Sequence, residues 1–331
     1  MKFLDCEVAP LGLGCWPIGG AMYGEDGTSL GYTNSDDKES IRALQAAAAN
    51  GISVFDTAAA YGAGHSERLL AQALHNKPEA IIVTKIGIPI NEKKKQLSFS
   101  GITPADVIPA IEQCAQRLRR EVVDLVLLHL NELDVISAEA LFDEMDRAVA
   151  SGKLRAYGWS TDFSDSVSAV ATRENFVAVE HAMNVLIDAP AMRQTCNTAQ
   201  LHTLIRSPLA MGLLSGRYTA ESKIGSDDVR GSGQGWLQYF VNGTPNAVFI
   251  ERLQNIQELL RDGGRSTVQG ALAWLWARNE HCLPIPGART VEQVESLAQA
   301  LSFGPLPDNV MQEIDALIDR TADIDAEDRA R

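Results

Sequence analysis

Three segments decide the fold: VFDTAAAYG (54–62), IIVTKIG (81–87) and LVLLHL (125–130). Each is a buried-strand pattern that breaks at an ionisable group. The groups at or just past the strand ends are Asp56, Tyr61, Lys85 and His129. In a barrel of parallel strands, the carboxyl ends of the strands meet on one face, and the active sites of such barrels lie there. The segments therefore predict that a carboxylate, a phenol, an ammonium and an imidazole come together at one point.

The order of elements along the chain favours a closed barrel. Short β-rich runs alternate with longer helical patterns, which is typical of βα units and a parallel sheet. The eight candidate strands lie around residues 11–15, 53–57, 80–85, 124–129, 155–160, 177–182, 202–207 and 282–286. Eight is the strand number of the barrel, which favours it over an open doubly wound sheet. We predict an α/β fold, a (β/α)8 TIM barrel with long substrate and cofactor loops. Residues 1–331 are expected to form one domain with a disordered polar tail at 321–331.

Capping signals mark where several helices begin. Ser, Thr and Asp side chains accept hydrogen bonds from the free N–H groups of a first helical turn, and Pro is favoured at the first helical position. A Gln three residues after the cap completes a capping box. The predicted N-cap residues are Ser35, Thr103, Ser266 and Thr290.

Composition excludes several classes of function. The 331 residues are 45% hydrophobic, which is enough for a large core, and the net charge is −14. Such a charge repels a phosphate backbone, so we expect no nucleic-acid partner. No apolar run approaches the roughly 20 residues that span a bilayer, and the N-terminus lacks the apolar core of a signal peptide. The five cysteines are scattered without CxxC spacing, which predicts reduced thiols, a cytoplasmic protein and no metal site.

The four ionisable groups suit the reduction of an aldehyde or ketone. A carbonyl that accepts hydride develops negative charge on oxygen and needs a proton donor there. Tyr61 stays protonated at neutral pH, and a nearby Lys85 would lower its pKa. Asp56 would hold Lys85 charged and in place, and His129 would orient the carbonyl. The same groups leave amine catalysis open, with Lys85 as the Schiff-base nucleophile of a lyase or aldolase.

Two stretches are predicted to be long loops, at 87–102 and 219–247. Long loops in a compact domain are usually functional or disordered. The second loop carries aromatic residues. They could form a lid over the substrate or pack beneath the loop, and the sequence does not favour either role. With the aromatics after the first strand, they predict an apolar substrate pocket at the barrel mouth. Its predicted residues are Trp16, Tyr23, Trp236 and Tyr239.

Six segments carry a resemblance to one family. GISVFDTAAAYGAGHSERLL (51–70) resembles the first catalytic segment of the aldo-keto reductase family. The next three, in that family's order, are IIVTKIG (81–87), DLVLLHL (124–130) and GKLRAYGWST (152–161). Its two nucleotide-binding segments resemble SPLAMGLLSGRY (207–218) and LPIPGARTVEQVESL (283–297). The resemblance runs from about residue 11 to residue 317, nearly the whole chain.

This resemblance implies a (β/α)8 barrel that transfers hydride from NADPH, with NADH as the second possibility, to a small-molecule carbonyl or in reverse from an alcohol. It implies that Tyr61 is the proton donor, that Lys85 and Asp56 tune it, and that His129 orients the substrate. A regulatory barrel that binds the nucleotide without turnover is the remaining alternative. The oligomeric state is left open.

Cofactor residues follow from the last two segments and from the resemblance. Loops after strands 7 and 8 are the usual phosphate sites of barrels, and a helix N-terminus attracts phosphate. Arg289, assisted by Gln293, is predicted to bind the 2′-phosphate, and Arg217 is a second phosphate ligand. The resemblance implies that Ser160, Thr161 and Glu180 hold the nicotinamide amide, where the family usually has Asn and Gln at the last two. The other predicted contacts are Trp16, Asp56, Ser207, Pro208, Leu209, Gly212, Leu214, Pro286, Gly287 and Ala288.

Overall fold

Eight parallel strands form the central sheet of the computed structural model, which describes residues 1–318 and 320. They are β1 (Leu13–Gly14), β2 (Val54–Asp56), β3 (Ile81–Ile86), β4 (Val123–Leu128), β5 (Leu154–Ser160), β6 (Phe176–Ala182), β7 (His202–Arg206) and β8 (Cys282–Pro284). Neighbours in the sheet follow chain order from β1 to β8. Each of the eight strands falls on a predicted position, and the predicted (β/α)8 barrel is confirmed.

Backbone hydrogen bonds between the first and last strands close the barrel. The N–H of Gly12 donates to the carbonyl of Pro284 at 2.9 Å, and the N–H of Gly14 donates to that of Pro286 at 3.0 Å. A Cβ added at Gly14 would lie 2.6 Å from the backbone oxygen of Ile285. A glycine is therefore required where β1 approaches β8.

Helices surround the barrel. They are α1 (Asp37–Ala49), α2 (His65–Ala73), α3 (Pro104–Leu118), α4 (Val135–Ala150), α5 (Ser164–Val170), α6 (Pro190–Ala199), α7 (Ala247–Leu260), α8 (Thr267–Arg278), α9 (Val291–Gln299) and α10 (Asp308–Leu317). The predicted N-caps Thr103, Ser266 and Thr290 are confirmed. The prediction of Ser35 is wrong by one residue, because the carboxylate of Asp36 accepts the N–H of Glu39 at 2.8 Å.

A short N-terminal hairpin, Lys2–Phe3 with Cys6–Glu7, covers the amino ends of the strands. Phe3 and Val8 belong to the cluster of buried side chains that fills the barrel interior. The N–H of Leu4 donates to His202 Nε2 at 3.0 Å, at the start of β7. The hairpin therefore covers the end of the barrel opposite the predicted site.

The long loops contain their own small elements. The β3–α3 loop forms a hairpin of Ile90–Asn91 and Gln96–Leu97, and the β7–α7 loop forms one of Phe240–Val241 and Thr244–Pro245. The five cysteines all lie in the described chain, where they are free thiols. In that same part of the chain, no helix combines the length and the apolar character that a bilayer crossing requires. The predicted disorder at 321–331 lies outside the described residues.

Candidate active site

Lys85 is the centre of a buried polar cluster at the carboxyl ends of the strands. It lies in β3, and the neighbouring β2 ends at Asp56, so the two side chains meet. Lys85 Nζ donates to Asp56 Oδ1 at 2.5 Å and to the carbonyl of Thr57 at 3.0 Å. It also lies 3.3 Å from Tyr61 Oη. Three of the four groups that the sequence singled out therefore share one point.

His129, the fourth predicted group, faces Tyr61 across the barrel mouth. It follows β4, and its backbone N–H donates to the carbonyl of Ile86 at 2.7 Å. Its ring meets that of Tyr61 edge to face, with 6.0 Å between the centroids. Among the described residues, the buried Nδ1 of His129 has no hydrogen-bond partner. The phenol and the imidazole thus frame the space in which a substrate oxygen would lie.

Glu180 contributes a second carboxylate to this cluster. It lies in β6, across the barrel from β3, and its Oε2 is 3.1 Å from Lys85 Nζ. Ser160 Oγ donates to Glu180 Oε1 at 3.4 Å. The sequence placed Glu180 among ligands of the nicotinamide amide and did not predict its ion pair with Lys85.

Burial and charge set the protonation of the cluster. Burial alone would lower the pKa of Lys85, but Asp56 and Glu180 raise it above its usual value. Burial and the nearby Glu180 raise the pKa of Asp56, and Lys85 opposes this shift. Burial likewise raises the pKa of Tyr61, whereas Lys85 lowers it. Lys85 is therefore an ammonium and Tyr61 a protonated phenol at neutral pH.

His129 is a neutral imidazole at physiological pH. Burial lowers its pKa to about 3, and the charges of Lys85 and Arg206 act in the same direction. A neutral imidazole has one N–H donor and one acceptor nitrogen, so it can hydrogen-bond to an oxygen without protonating it. The substrate-orienting role that the sequence suggests for His129 stays a prediction.

Comparison with known proteins agrees with this arrangement. A profile described as the Aldo/keto reductase family matches residues 10–319. The chain belongs to the aldo/keto reductase family. Aldo-keto reductase YhdN of Bacillus subtilis is 25% identical to it over 322 residues, covering 95% of this chain and 91% of the relative.

Solved structures share the fold of this aldo-keto reductase. The glycerol dehydrogenase AKR11B4 from Gluconobacter oxydans has a TM-score of 0.79 at 23% identity, covering 99% of this chain and 97% of that one. An aldo-keto reductase from Klebsiella pneumoniae in complex with NADPH has a TM-score of 0.68 at 20% identity, covering 97% and 95%. At these identities, the likeness shows the barrel alone.

The two predicted nucleotide segments of this aldo-keto reductase lie side by side, because β7 pairs with β8. In the first, Ala210, Met211 and Gly212 have consecutive positive φ angles of 49°, 54° and 94°. Two N–H groups of this run are already paired within the turn, because Ala210 donates to the carbonyl of Ser207 at 2.9 Å and Gly212 donates to that of Leu209 at 2.8 Å. The other predicted residues of this segment differ in exposure: Pro208 and Leu214 are buried, Ser207 and Leu209 are half-buried, and Arg217 is exposed.

The second segment places Arg289 at its centre. Pro286 and Ala288 are buried, Gly287 is exposed, and Arg289 is half-buried, with its Nη1 donating to the carbonyl of Thr33 at 2.5 Å. Gln293 Oε1 accepts the backbone N–H of Arg289 at 2.8 Å. The start of α9 offers fewer free donors than expected. Glu39 Oε1 accepts the N–H of Val291 at 3.1 Å, and Thr290 Oγ1 accepts that of Gln293 at 3.3 Å.

Thr161, predicted to bind the nicotinamide amide, already has protein partners. Its hydroxyl donates to the carbonyl of Asn131 at 2.7 Å and accepts the N–H of Phe163 at 3.3 Å. Thr161 is completely buried, so it fixes the loop after β4. The neighbouring Ser160 instead faces Glu180, as described above.

Only part of the predicted substrate pocket comes together. Trp16 stacks on Tyr61 at 5.9 Å between ring centroids, and Trp236 lies 6.3 Å from Trp16 with half of its surface exposed. Tyr239 is buried, and its hydroxyl accepts from Asn184 Nδ2 at 2.7 Å. Packing beneath the loop 219–247 is therefore observed for Tyr239, whereas a lid role for the half-exposed Trp236 stays a prediction.

Tyr23 lies apart from that aromatic group. Its backbone pairs with the β3–α3 hairpin, where the N–H of Leu97 donates to its carbonyl at 2.8 Å and its own N–H donates to the carbonyl of Lys95 at 2.9 Å. Its side chain is 39% exposed and takes part in none of the ring contacts among the described residues.

Arg206 and Asp162 were not predicted by the sequence. Arg206 ends β7 and forms an ion pair with Asp162, which follows β5. The positive charge of Arg206 lowers the pKa of His129 and also interacts electrostatically with Tyr61. The signal was present in LIRSPL (204–209), where an apolar strand breaks at a charged residue, as at Asp56 and Lys85.

Proposed function

We propose that this aldo-keto reductase is an NADP-dependent oxidoreductase that reduces an aldehyde or ketone with Tyr61 as the proton donor. The observation that carries the proposal is the position of Tyr61 Oη, 3.3 Å from Lys85 Nζ and opposite His129. A phenol that lies between an ammonium and the mouth of the barrel can give its proton to a carbonyl oxygen. The ammonium then stabilises the phenolate that remains.

Each residue of the cluster has a defined part in this reaction. Tyr61 donates a proton to the developing alkoxide, and Lys85 stabilises the phenolate that remains. Asp56 holds Lys85 at 2.5 Å and keeps it charged. The neutral His129 orients the carbonyl oxygen toward Tyr61 by hydrogen bonding. NADPH, when bound, supplies the hydride.

The cofactor assignment is supported by the chain's own cations and by its neighbours. Arg289 and Arg217 lie in the adjacent loops after β8 and β7, and a guanidinium suits phosphate through charge and bidentate geometry. The residues present therefore fit a phosphorylated dinucleotide. The Klebsiella neighbour binds NADPH, which favours NADPH over NADH here.

The Schiff-base alternative receives no support. Nucleophilic attack requires a neutral amine, and Asp56 and Glu180 keep Lys85 charged by raising its pKa. Lys85 is also completely buried beneath Tyr61. We therefore assign Lys85 to tuning Tyr61.

A carbonyl panel with NADPH and NADH in parallel tests the proposal. We expect oxidation of NADPH with aldehydes or ketones, and quenching of tryptophan fluorescence on NADPH binding that is reduced in Trp16→Phe. Absence of binding by calorimetry would contradict the cofactor assignment. Tight NADPH binding without oxidation across the panel would favour the regulatory barrel, and borohydride trapping of a substrate on Lys85 would favour the lyase.

A further inference from the structure

Glu180 places a carboxylate at a position where the family usually has the neutral amide of Gln. Its side chain is 2% exposed. Ser160 Oγ donates to Glu180 Oε1 at 3.4 Å, whereas Oε2 receives no hydrogen bond in the described part of the chain. A buried oxygen of this kind can accept an N–H from a ligand such as the amide of a nicotinamide. The carboxylate therefore keeps an acceptor for the cofactor and adds a negative charge.

Two contacts place this charge beside the reacting groups. Glu180 Oε2 lies 3.1 Å from Lys85 Nζ, and Lys85 Nζ lies 3.3 Å from Tyr61 Oη. The carboxylate is therefore no further from the phenol than the length of two hydrogen bonds. Reacting atoms approach to about 3–3.5 Å before transfer. A nicotinamide ring that reduces a carbonyl held by Tyr61 is therefore a near neighbour of Glu180.

The negative charge of Glu180 has no cation of its own. Asp56 and Glu180 both pair with the ammonium of Lys85, and the three side chains are exposed by only 4%, 2% and 0%. Arg206, whose charge also acts on Glu180, is paired with Asp162. Buried charges interact more strongly than exposed ones, because water screens them less. The space above Lys85 is therefore more favourable for a cation than it would be with Gln at this position.

Hydride transfer changes the charge of the nicotinamide ring. The ring of NADPH is neutral. Its hydride goes to the carbonyl carbon and the proton of Tyr61 goes to the carbonyl oxygen, so the ring is left with one positive charge. We propose that Glu180 stabilises this oxidised, cationic ring, so that the protein binds NADP⁺ more tightly relative to NADPH than it would with a neutral amide. This inference rests on the proposed reductase function.

The size of the effect follows from the charges around the ring. An opposite charge within about 4–6 Å favours the charged form of a group by about 10- to 1,000-fold. The ammonium of Lys85 opposes the effect of Glu180 on the ring. We therefore expect the lower end of this range, a change of about 10-fold in the ratio of the two affinities.

Calorimetric titration with NADP⁺ and with NADPH tests the proposal in the wild type, Glu180→Gln and Glu180→Asp. In Glu180→Gln, the affinity for NADP⁺ should fall about 10-fold, whereas the affinity for NADPH should change little. Glu180→Asp keeps the charge and should keep most of the wild-type ratio. The ratio cancels any change in packing that weakens both forms alike. An unchanged ratio in Glu180→Gln, or the same change in Glu180→Asp, would overturn the role of the charge.

Glu67→Gln is the matched control, because Glu67 is also a completely buried glutamate. It lies on α2, where Thr84 Oγ1 donates to it at 2.6 Å and Arg117 pairs with it. Thr84 and Lys85 are successive residues of β3, so their side chains leave opposite faces of the strand. The affinity ratio of Glu67→Gln should equal that of the wild type, and an equal change in both variants would contradict a specific role of Glu180. Thermal unfolding shows whether each variant is folded.

The same titrations separate this inference from the proposed function. Absence of binding of both nucleotides would contradict the cofactor assignment and the role of Glu180 together. Binding of both nucleotides without oxidation of NADPH by any carbonyl would contradict the reductase function, and the affinity ratio would still decide the role of Glu180.

Discussion

Glu180 Oε2 lies 3.1 Å from Lys85 Nζ, so a second buried carboxylate shares the ammonium with Asp56. An ammonium has three N–H donors. The hydrogen bonds of this one go to Asp56 Oδ1 at 2.5 Å, to the carbonyl of Thr57 at 3.0 Å and to Tyr61 Oη at 3.3 Å, and in the described part of the chain Glu180 Oε2 receives no hydrogen bond. Glu180 therefore acts on this cluster through its negative charge, which lies near the phenol of Tyr61.

Glu180→Gln is expected to make Tyr61 a stronger acid. The charge of Glu180 raises the pKa of Tyr61, so a neutral amide at this position lowers it. Reduction needs the protonated phenol, and its rate falls as pH rises through the pKa of Tyr61. The alkaline limb of kcat for carbonyl reduction should therefore move to lower pH. Glu139→Gln, an exposed change on α4, is the control, and an unmoved limb in Glu180→Gln would contradict an electrostatic effect of Glu180 on Tyr61.

Lys85→Met should destabilise the fold as well as stop turnover. Removal of the ammonium leaves the carboxylates of Asp56 and Glu180 buried together, and such a break costs about 3–5 kcal/mol. Glu180→Gln in the Lys85→Met background should recover part of this loss, because one of the two charges is gone. The wild type, Lys85→Met, Glu180→Gln and the double variant form a double-mutant cycle. Urea denaturation of these four proteins measures the coupling free energy between Lys85 and Glu180. Simple additivity of the two substitutions would contradict a shared ammonium.

Tyr61→Phe should remove most reductase turnover and leave NADPH affinity near that of the wild type. Loss of a general acid lowers kcat by about 10²- to 10⁴-fold. Tyr157→Phe makes the same chemical change outside the mouth, where the hydroxyl bonds Asp146 at 2.9 Å and Arg173 at 3.0 Å. That control should lose about 1 kcal/mol of stability and keep its activity. Full turnover in Tyr61→Phe would end the assignment of the proton donor.

The strand ends predicted much of the fold and of the site. Apolar runs that end at Asp56, Lys85 and His129 located three barrel strands, because parallel strands present their carboxyl ends on one face. Arg206 follows the same rule and could have been found by it. Asp36 replaces Ser35 as an N-cap, because adjacent capping residues compete and only the path of the chain decides between them.

The partners of Glu180 and Tyr239 could not be predicted. The pair of Glu180 with Lys85 crosses the barrel from β6 to β3, and its distance depends on how the closed barrel staggers its strands. Tyr239 and Trp236 occupy one loop with similar composition, yet one is buried on Asn184 and the other is exposed. Sequence patterns report periodic elements, and an irregular loop has no such period.

His129 is expected to make the protein less stable in acid. Its folded pKa is about 3, against about 6.5 in an unfolded chain, so the unfolded state binds an additional proton between these values. The contribution of neutral His129 to stability is therefore fully present above about pH 6.5 and is lost as pH decreases toward 3. His129→Asn should lose less unfolding free energy than the wild type between about pH 7 and about pH 5, as measured in urea. His281→Asn, an exposed change, should retain the wild-type slope, and equal slopes in all three proteins would contradict a neutral, buried His129.

Gly14→Ala should weaken the closure of the barrel. A Cβ at this position would lie 2.6 Å from the backbone oxygen of Ile285, and backbone on both sides has little room to move. Forced contacts of this kind in a packed interior cost about 1–3 kcal/mol. Gly235→Ala is the matched control, because an added Cβ there meets nothing within 4 Å. Thermal unfolding should show a lower midpoint for Gly14→Ala alone. Equal midpoints would contradict a close and rigid approach of β1 to β8 at this position.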